Sequence, residues 1–141
     1  MLVPKKVKYR KWHVMRKNPL KVGFDTRGTV LSFGSFGITA TSSARIKSEQ
    51  IESARKVLSR EIGKNGKLWI RIFPDMPYTQ KPAEVKLGKG KGDLVGYCAP
   101  VRAGRVIFEV DGVDEATARE ALRKAGSKLP VKSMIISREL L

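Results

Sequence analysis

The strongest constraint on the fold is an apolar stripe in the middle of the chain, within residues 48–62. Its members follow a helical spacing that places them on one face: Ile51, Ala54, Leu58 and Ile62. Ser48 is expected to cap this helix and Gly63 to end it. A helix with one apolar face needs a packing partner, so the rest of the chain must supply a second layer.

Short apolar segments around this helix predict β-strands. They are residues 30–33 and 38–41, separated by a turn at 34–37, followed by 67–73, 94–101, 105–110 and 131–137. We expect 94–101 and 105–110 to pair through a turn at 102–104. A second helix is predicted over 115–125, capped by Asp114, with Ala118, Ala121, Leu122 and Ala125 facing inward. This order predicts an α+β fold, a small two-layer sandwich of mixed or antiparallel strands with two helices.

Several classes of protein are excluded by composition. Cys98 and His13 are the only cysteine and histidine, which rules out an intrachain disulfide and paired His or Cys metal ligands. The sequence has neither a secretory signal nor an 18-residue apolar run, so we expect no membrane span and a cytoplasmic location. His13 has no nearby carboxylate in the sequence, and no catalytic set can be argued from spacing. We therefore expect no enzyme and no cofactor.

Positive charge is the most informative feature for function. The net charge is +16, and residues 1–71 alone carry 17 basic and 4 acidic side chains, a net +13. Residues 1–21 hold eight cations and no acid, interleaved with Tyr9 and Trp12. Cations bind phosphates and aromatic rings stack on bases, so we interpret 1–21 as a basic RNA-binding N-terminal extension and 22–141 as a single α+β domain. A solvated extension packed back on the core is the alternative, and a membrane surface is disfavoured because the segment lacks helical amphipathicity.

The candidate RNA contacts follow from this interpretation. They are Lys5, Lys6, Lys8, Arg10, Lys11, Trp12, His13, Arg16 and Lys17 in the extension, and Arg55, Lys56 and Arg60 on the outer face of the first helix.

Residues 78–93 are predicted to form a long polar loop that carries alternating lysine and glycine. Glycine lets backbone N–H groups approach a phosphate closely, and lysine supplies charge. The P-loop motif is excluded, because Gly92 and Asp93 follow Lys91 where Ser or Thr is required. The loop is either a flexible cationic finger for a nucleic-acid backbone or a disordered surface loop. Its candidate contact residues are Lys81, Lys86, Gly88, Lys89, Gly90, Lys91 and Gly92.

Ten stretches, taken together in their order and spacing, identify a family. They are Met1-Leu2, Pro4-Lys5, Tyr9-Arg10-Lys11, residues 32–37, Gln50-Ile51-Glu52, residues 69–75, Lys81-Pro82, residues 88–92 and 104–106, and Lys128-Leu129-Pro130. Over nearly its whole length, the chain resembles the bacterial form of the universal large-subunit ribosomal protein number sixteen family.

The resemblance implies a structural protein of the large ribosomal subunit with an α/β-hammerhead type of sandwich. It implies binding to large-subunit rRNA and contacts with tRNA in the A site, and it allows contacts in the P site. Lys5, Lys6, Lys8, Arg10 and Lys11 would touch rRNA, and Lys89 and Lys91 would point toward the peptidyl-transferase region. Other large-subunit proteins would be neighbours, without a membrane or a homo-oligomer.

Two departures from the family stand out. Lys86 occupies a position where the family commonly has an arginine that some bacteria hydroxylate, and lysine lacks the guanidinium, so we do not expect that modification. Residues 17–29 form a longer stretch than is usual. An organellar matrix or stroma stays open as a location. A free RNA-binding translation or assembly factor and an RNA-modifying enzyme are the rival functions, and the second needs a catalytic site that the sequence does not show.

Overall fold

The computed structural model describes residues 1–14, 16 and 18–138. These residues form a short 3-10 helix, seven β-strands and two α-helices. In chain order they are the 3-10 helix Pro19–Lys21, β1 Phe36–Ala40, β2 Ala44–Lys47, α1 Ser48–Ile62, β3 Lys67–Ile70, β4 Met76–Gln80, β5 Asp93–Val101, β6 Val106–Asp111, α2 Glu115–Gly126 and β7 Ser133–Ser137.

The strands form two antiparallel sheets, as an α+β fold requires. Sheet A has the order β3-β6-β1-β7, and sheet B has the order β2-β5-β4. Helices α1 and α2 pack against each other and against these sheets. The predicted class is therefore confirmed, with every strand pair antiparallel.

Both predicted helices are present, and their predicted inward faces are buried. The buried residues of α1 include Ile51, Ala54, Leu58 and Ile62, and those of α2 are Ala118, Ala121, Leu122 and Ala125. Asp114 caps α2 by accepting a hydrogen bond from the Thr117 backbone N–H. All of these apolar side chains except Ala118 join Ile38, Phe108 and Val110 of sheet A in one hydrophobic core.

The prediction that Ser48 caps α1 is wrong. Lys47 is the cap residue, and its backbone N–H donates to Gln50 Oε1 at 2.9 Å. Ser48 is buried as the first helical residue, and its Oγ donates to the Leu2 carbonyl at 2.6 Å. Leu2 also packs against the core, so the start of the basic extension is attached to the helical layer.

Residues 30–33 form no strand, contrary to the sequence prediction, and the predicted turn at 34–37 overlaps β1. Residues 30–33 lie on the face of sheet A that points away from the helices. Backbone N–H groups of Ser32, Phe33 and Gly34 all donate to Glu109 Oε1, at 2.8, 3.0 and 3.2 Å. A side-chain carboxylate thus takes the place of a neighbouring strand.

Other strand predictions needed correction. Residues 94–101 and 105–110 contribute β5 and β6, but these strands lie in different sheets and do not pair with each other. Residues 78–80 belong to β4, so the polar loop runs from 81 to 92. Strand β3 ends at Ile70 and β7 begins at Ser133, which makes both shorter than predicted.

Candidate nucleic-acid interface

The basic segment of residues 4–13 leaves the core after Leu2 and follows the surface. Lys5, Lys6, Lys8 and Arg10 are exposed, and Lys11 is half-buried. Lys8 Nζ lies 5.5 Å from the centroid of the Tyr9 ring. Most of these cations therefore point to solvent and are available to phosphates.

A shallow groove of about 250 Å³ runs along this basic segment. Its lining includes Lys6, Lys8, Tyr9, Trp12 and, from the end of the β3–β4 connection, Asp75. Trp12 is 39% exposed and His13 is exposed as well. The groove thus combines lysine and aromatic side chains, the two residue types that contact the phosphates and bases of single strands.

Three predicted contact residues lie on α1, and they differ in how free they are to bind RNA phosphates. Arg55 is bound to the Glu52 carboxylate, with Nε 3.0 Å from Oε2 and a second contact from Nη2. The hydrogen bond from Arg55 lowers the pKa of Glu52. Lys56 and Arg60 are exposed, so they are better suited than Arg55 to bind a phosphate.

The extension ends in residues that are described in part. Arg16 is exposed. Lys17, a predicted rRNA contact, lies outside the described residues, as does Met15. The 3-10 helix Pro19–Lys21 then begins after Asn18, whose Oδ1 accepts from the Leu20 backbone N–H.

The loop of residues 81–92 connects β4 to β5, and residues 82–91 are all exposed. Gly88, Lys89 and Gly90 have φ angles of 100°, 61° and 106°, so the backbone is left-handed at three consecutive positions. Glycine adopts this region readily and lysine rarely does, which makes Lys89 a locally constrained residue. Lys86 and Lys89 are exposed, whereas Lys81 donates to the Gly88 carbonyl across the loop.

The structure brings the loop and the basic segment together, which sequence analysis did not foresee. Lys91 Nζ donates a hydrogen bond to the carbonyl oxygen of Trp12. These residues are 79 positions apart in the chain. Two cationic segments identified separately in the sequence therefore form one continuous surface.

Sequence analysis also missed an aromatic groove of about 730 Å³ beside the basic segment. Phe33, Trp69 and Phe73 line it together with Arg71, Asp75 and Arg105. The alternation in residues 67–73 could have found three of these residues, because it places Trp69, Arg71 and Phe73 on one face of a strand. The contribution of Phe33 could not be found that way, because it comes from the segment that crosses sheet A.

Side chains of the types used in catalysis either lie apart from one another or have structural roles. Cys98 is buried, and burial raises the pKa of its thiol. Asp111 accepts hydrogen bonds from Ser35 Oγ and the Gly112 N–H, and Asp114 caps α2. Within the described residues, no group of three His, Cys, Asp or Glu side chains could hold a metal ion. No described helix meets the length and hydropathy needed to cross a membrane.

Comparison with known proteins decides the family. The model of the family described as ribosomal protein L16p/L10e matches residues 4–136 of this chain. The chain belongs to the ribosomal protein L16p/L10e family. The resemblance found in the sequence motifs is thereby confirmed.

Individual members of the L16p/L10e family are similar over their full length. The large ribosomal subunit protein uL16 of Halorhodospira halophila is 49% identical over 141 residues, all of both chains. That of Clavibacter michiganensis is 52% identical over 99% of this chain and 97% of its own. That of Staphylococcus aureus strain Newman is 50% identical over 99% and 94%. The match includes both the basic segment and the loop.

Proposed function

We propose that this chain is a structural constituent of the large ribosomal subunit in the cytoplasm, where it binds large-subunit rRNA and contacts tRNA. The contact between Lys91 and Trp12 carries the proposal, because it joins two cationic segments into one surface that a folded RNA can cover. The names of the relatives, large ribosomal subunit protein uL16, support the assembly part of the proposal.

In this proposal the extension of residues 1–21 and the outer face of α1 hold rRNA. The exposed cations of the basic segment, with Lys56 and Arg60, would neutralise phosphates. Arg55 would contribute less, since Glu52 already neutralises it. Residues 22–141 would act as one domain that presents this surface, with neighbouring large-subunit proteins on other faces and without a second copy of itself.

The loop of residues 81–92 would contact tRNA near the peptidyl-transferase centre, in the A site and in the P site. The exposure of residues 82–91 and the left-handed backbone at 88–90 support this role, because the loop contributes little to the core and presents Lys86 and Lys89 outward. The role is one of contact and positioning rather than catalysis.

Sedimentation and crosslinking in cell extract test the rRNA part of the proposal. The protein should migrate with large ribosomal particles in moderate salt, and RNA crosslinked to it should be large-subunit rRNA. A protein found mainly in the unbound fraction would instead be a free translation or assembly factor.

The tRNA part is tested with Lys86→Ala and Lys89→Ala combined, which leaves the contact of Lys91 with Trp12 in place. This variant should fold and enter the subunit, because both side chains are exposed and most of the charge lies elsewhere. Purified ribosomes carrying it should accommodate A-site tRNA or form peptide bonds more slowly. The matched control is Lys128→Ala combined with Lys132→Ala. It removes the same charge at two exposed positions outside the loop. Wild-type rates with the loop variant would rule out the tRNA role.

A further inference from the structure

The aromatic groove beside the basic segment exposes large apolar side chains to solvent. Phe33 is 55% exposed and Phe73 is 48% exposed, and both line the same groove. Large exposed apolar groups gathered at one place are typical of a binding site. Leu2 forms part of the lining, so the groove begins where the basic segment leaves the core.

Contacts within the chain position the aromatic part of this groove. The rings of Phe33 and Trp69 are stacked, with centroids 6.0 Å apart and planes inclined by 18°. Three backbone hydrogen bonds to Glu109 hold the segment around Phe33, and Trp69 lies opposite Glu109 in the β3–β6 register. The binding of a flat ligand therefore loses little free energy to the ordering of these side chains.

Two guanidinium groups lie beside the stacked rings, and each is paired with a carboxylate: Arg71 with Glu109 and Arg105 with Asp25. The Arg71 guanidinium lies 5.3 Å from the centroid of the Phe33 ring, and Arg105 lines the groove. Asp75 borders both this groove and the groove of the basic segment, so the two grooves are adjacent. An RNA strand with a base in the aromatic groove would pass the Asp75 carboxylate and reach Lys6 and Lys8.

We infer that the aromatic groove binds an unpaired nucleobase of single-stranded RNA, whose phosphates continue along the basic segment. A base is flat and stacks on aromatic rings, and its attached phosphates match the cations next to the groove. Bases within a duplex are stacked on one another, so the ligand must be a loop, a bulge or an end. This inference rests on the proposed function and assigns to it a second kind of contact besides phosphate neutralisation.

Two RNA probes of equal charge test the inference. One is an oligoadenylate of about 12 nucleotides, and the other is a ribose-phosphate oligomer of the same length without bases. Wild-type protein should bind the oligoadenylate roughly 5- to 100-fold more tightly. Phe33→Leu combined with Phe73→Leu should remove most of that difference and leave binding to the abasic oligomer unchanged. Phe24→Leu is the matched control, because Phe24 is 78% exposed and does not line the groove.

A second measurement does not depend on how the double variant folds. The chain has two tryptophans, so Trp12→Phe leaves Trp69 as the fluorescent reporter. Oligoadenylate should quench Trp69 fluorescence, and the abasic oligomer should not.

The outcomes separate this inference from the proposed function. Equal binding of both oligomers by the wild-type protein, or equal quenching, would overturn the base site and leave phosphate binding intact. A double variant that binds oligoadenylate normally but fails to enter ribosomal particles would show that the groove takes a protein instead. A wild-type protein that binds neither oligomer would overturn both proposals.

Discussion

Glu109 on β6 and Arg71, the residue that follows β3, form an ion pair, with Glu109 Oε2 2.6 Å from Arg71 Nη1. The Glu109 side chain is fully buried in a chain of net charge +16. Its other oxygen accepts the three backbone N–H groups of residues 32–34. The Glu109 carboxylate therefore attaches residues 32–34 to sheet A and helps to position the aromatic groove.

Replacing the carboxylate should be costly. Glu109→Gln keeps the size of the side chain but turns an amide toward Arg71, which leaves that guanidinium without its partner. Loss of one member of a buried pair typically costs about 3–5 kcal/mol. Urea unfolding should show this loss for Glu109→Gln, and less than about 1 kcal/mol for Glu115→Gln, whose pair with Arg119 is exposed. Equal stability of the two variants would show that the pair contributes nothing.

Stability should also depend on the ionisation of Glu109. Burial pushes the pKa of Glu109 upward, but hydrogen bonds from Arg71 and from the backbone of Phe33, Gly34 and Ser32 outweigh it and lower the pKa. A lowered pKa in the folded state stabilises the protein above the unfolded value of about 4.5, and that stabilisation is lost as the pH falls through the folded value. Unfolding free energies measured from about pH 5 to about pH 3 should fall more steeply for wild type than for Glu109→Gln. Parallel curves would contradict this assignment.

Gly34 should tolerate no side chain. A Cβ there would lie 2.7 Å from the Val110 carbonyl oxygen and 3.0 Å from the Val110 nitrogen, both backbone atoms. Gly34→Ala should therefore cost about 1–3 kcal/mol, as overpacking usually does. Gly23→Ala is the control, since its Cβ would meet nothing within 4 Å. Thermal unfolding measures both, and similar melting temperatures would show that the segment shifts freely.

The two faces of α1 should respond differently to substitution. Leu58 is completely buried, so Leu58→Ala should destabilise the protein by about 2–5 kcal/mol. Arg60 is exposed, so Arg60→Ala should change stability by less than about 0.5 kcal/mol and weaken RNA binding instead. Denaturant unfolding and RNA titration measure the two effects, and a reversed result would mean that the faces are misassigned.

Salt dependence should report the contribution of the basic segment. Glutamine at four of its exposed cations should make the slope of log K against log salt shallower by about 3, since each phosphate contact contributes about 0.7–0.9. The four are Lys5, Lys6, Lys8 and Arg10. Substitution is preferable to truncation, because Leu2 packs on the core. The charge-matched control replaces Arg119, Arg123, Lys128 and Lys132, and a slope reduced equally by both sets would rule out a localised interface.

The helices could be predicted almost to the residue, because their signals are local. The stripe of α1 and the Asp114 cap of α2 lie within one element, so spacing alone is sufficient. Ser48 was misjudged because its hydroxyl bonds to Leu2, a partner 46 residues away. A cap prediction considers only the neighbouring turn.

The strand errors have a different cause. Residues 30–33 have the apolar composition of a short strand, but only Leu31 among them is half-buried, and the N–H groups of Ser32 and Phe33 bind Glu109 rather than a neighbouring strand. Strand β4 was missed because Pro77 argues against a strand, although proline is tolerated in an edge strand such as β4. Which sheet β5 and β6 join depends on distant residues and cannot be inferred from the turn between them.

The candidate interface was predictable as a set of segments but not as a surface. Runs of lysine identify both the extension and the loop in the sequence. Their contact through Lys91 and Trp12, and the proximity of Phe33 to Trp69, depend on how the sheets bring distant segments together.

The position of β1 determines when the protein can fold during its synthesis. β1 is completed at residue 40, yet its two neighbours are β6 and β7, which end at residues 111 and 137. A nascent chain must therefore carry β1 with both edges open for about 70 residues, and with one edge open until residue 137 has been made. Open edges pair readily with other chains, so a prematurely terminated product ending before β7 should aggregate rather than persist as a soluble fragment.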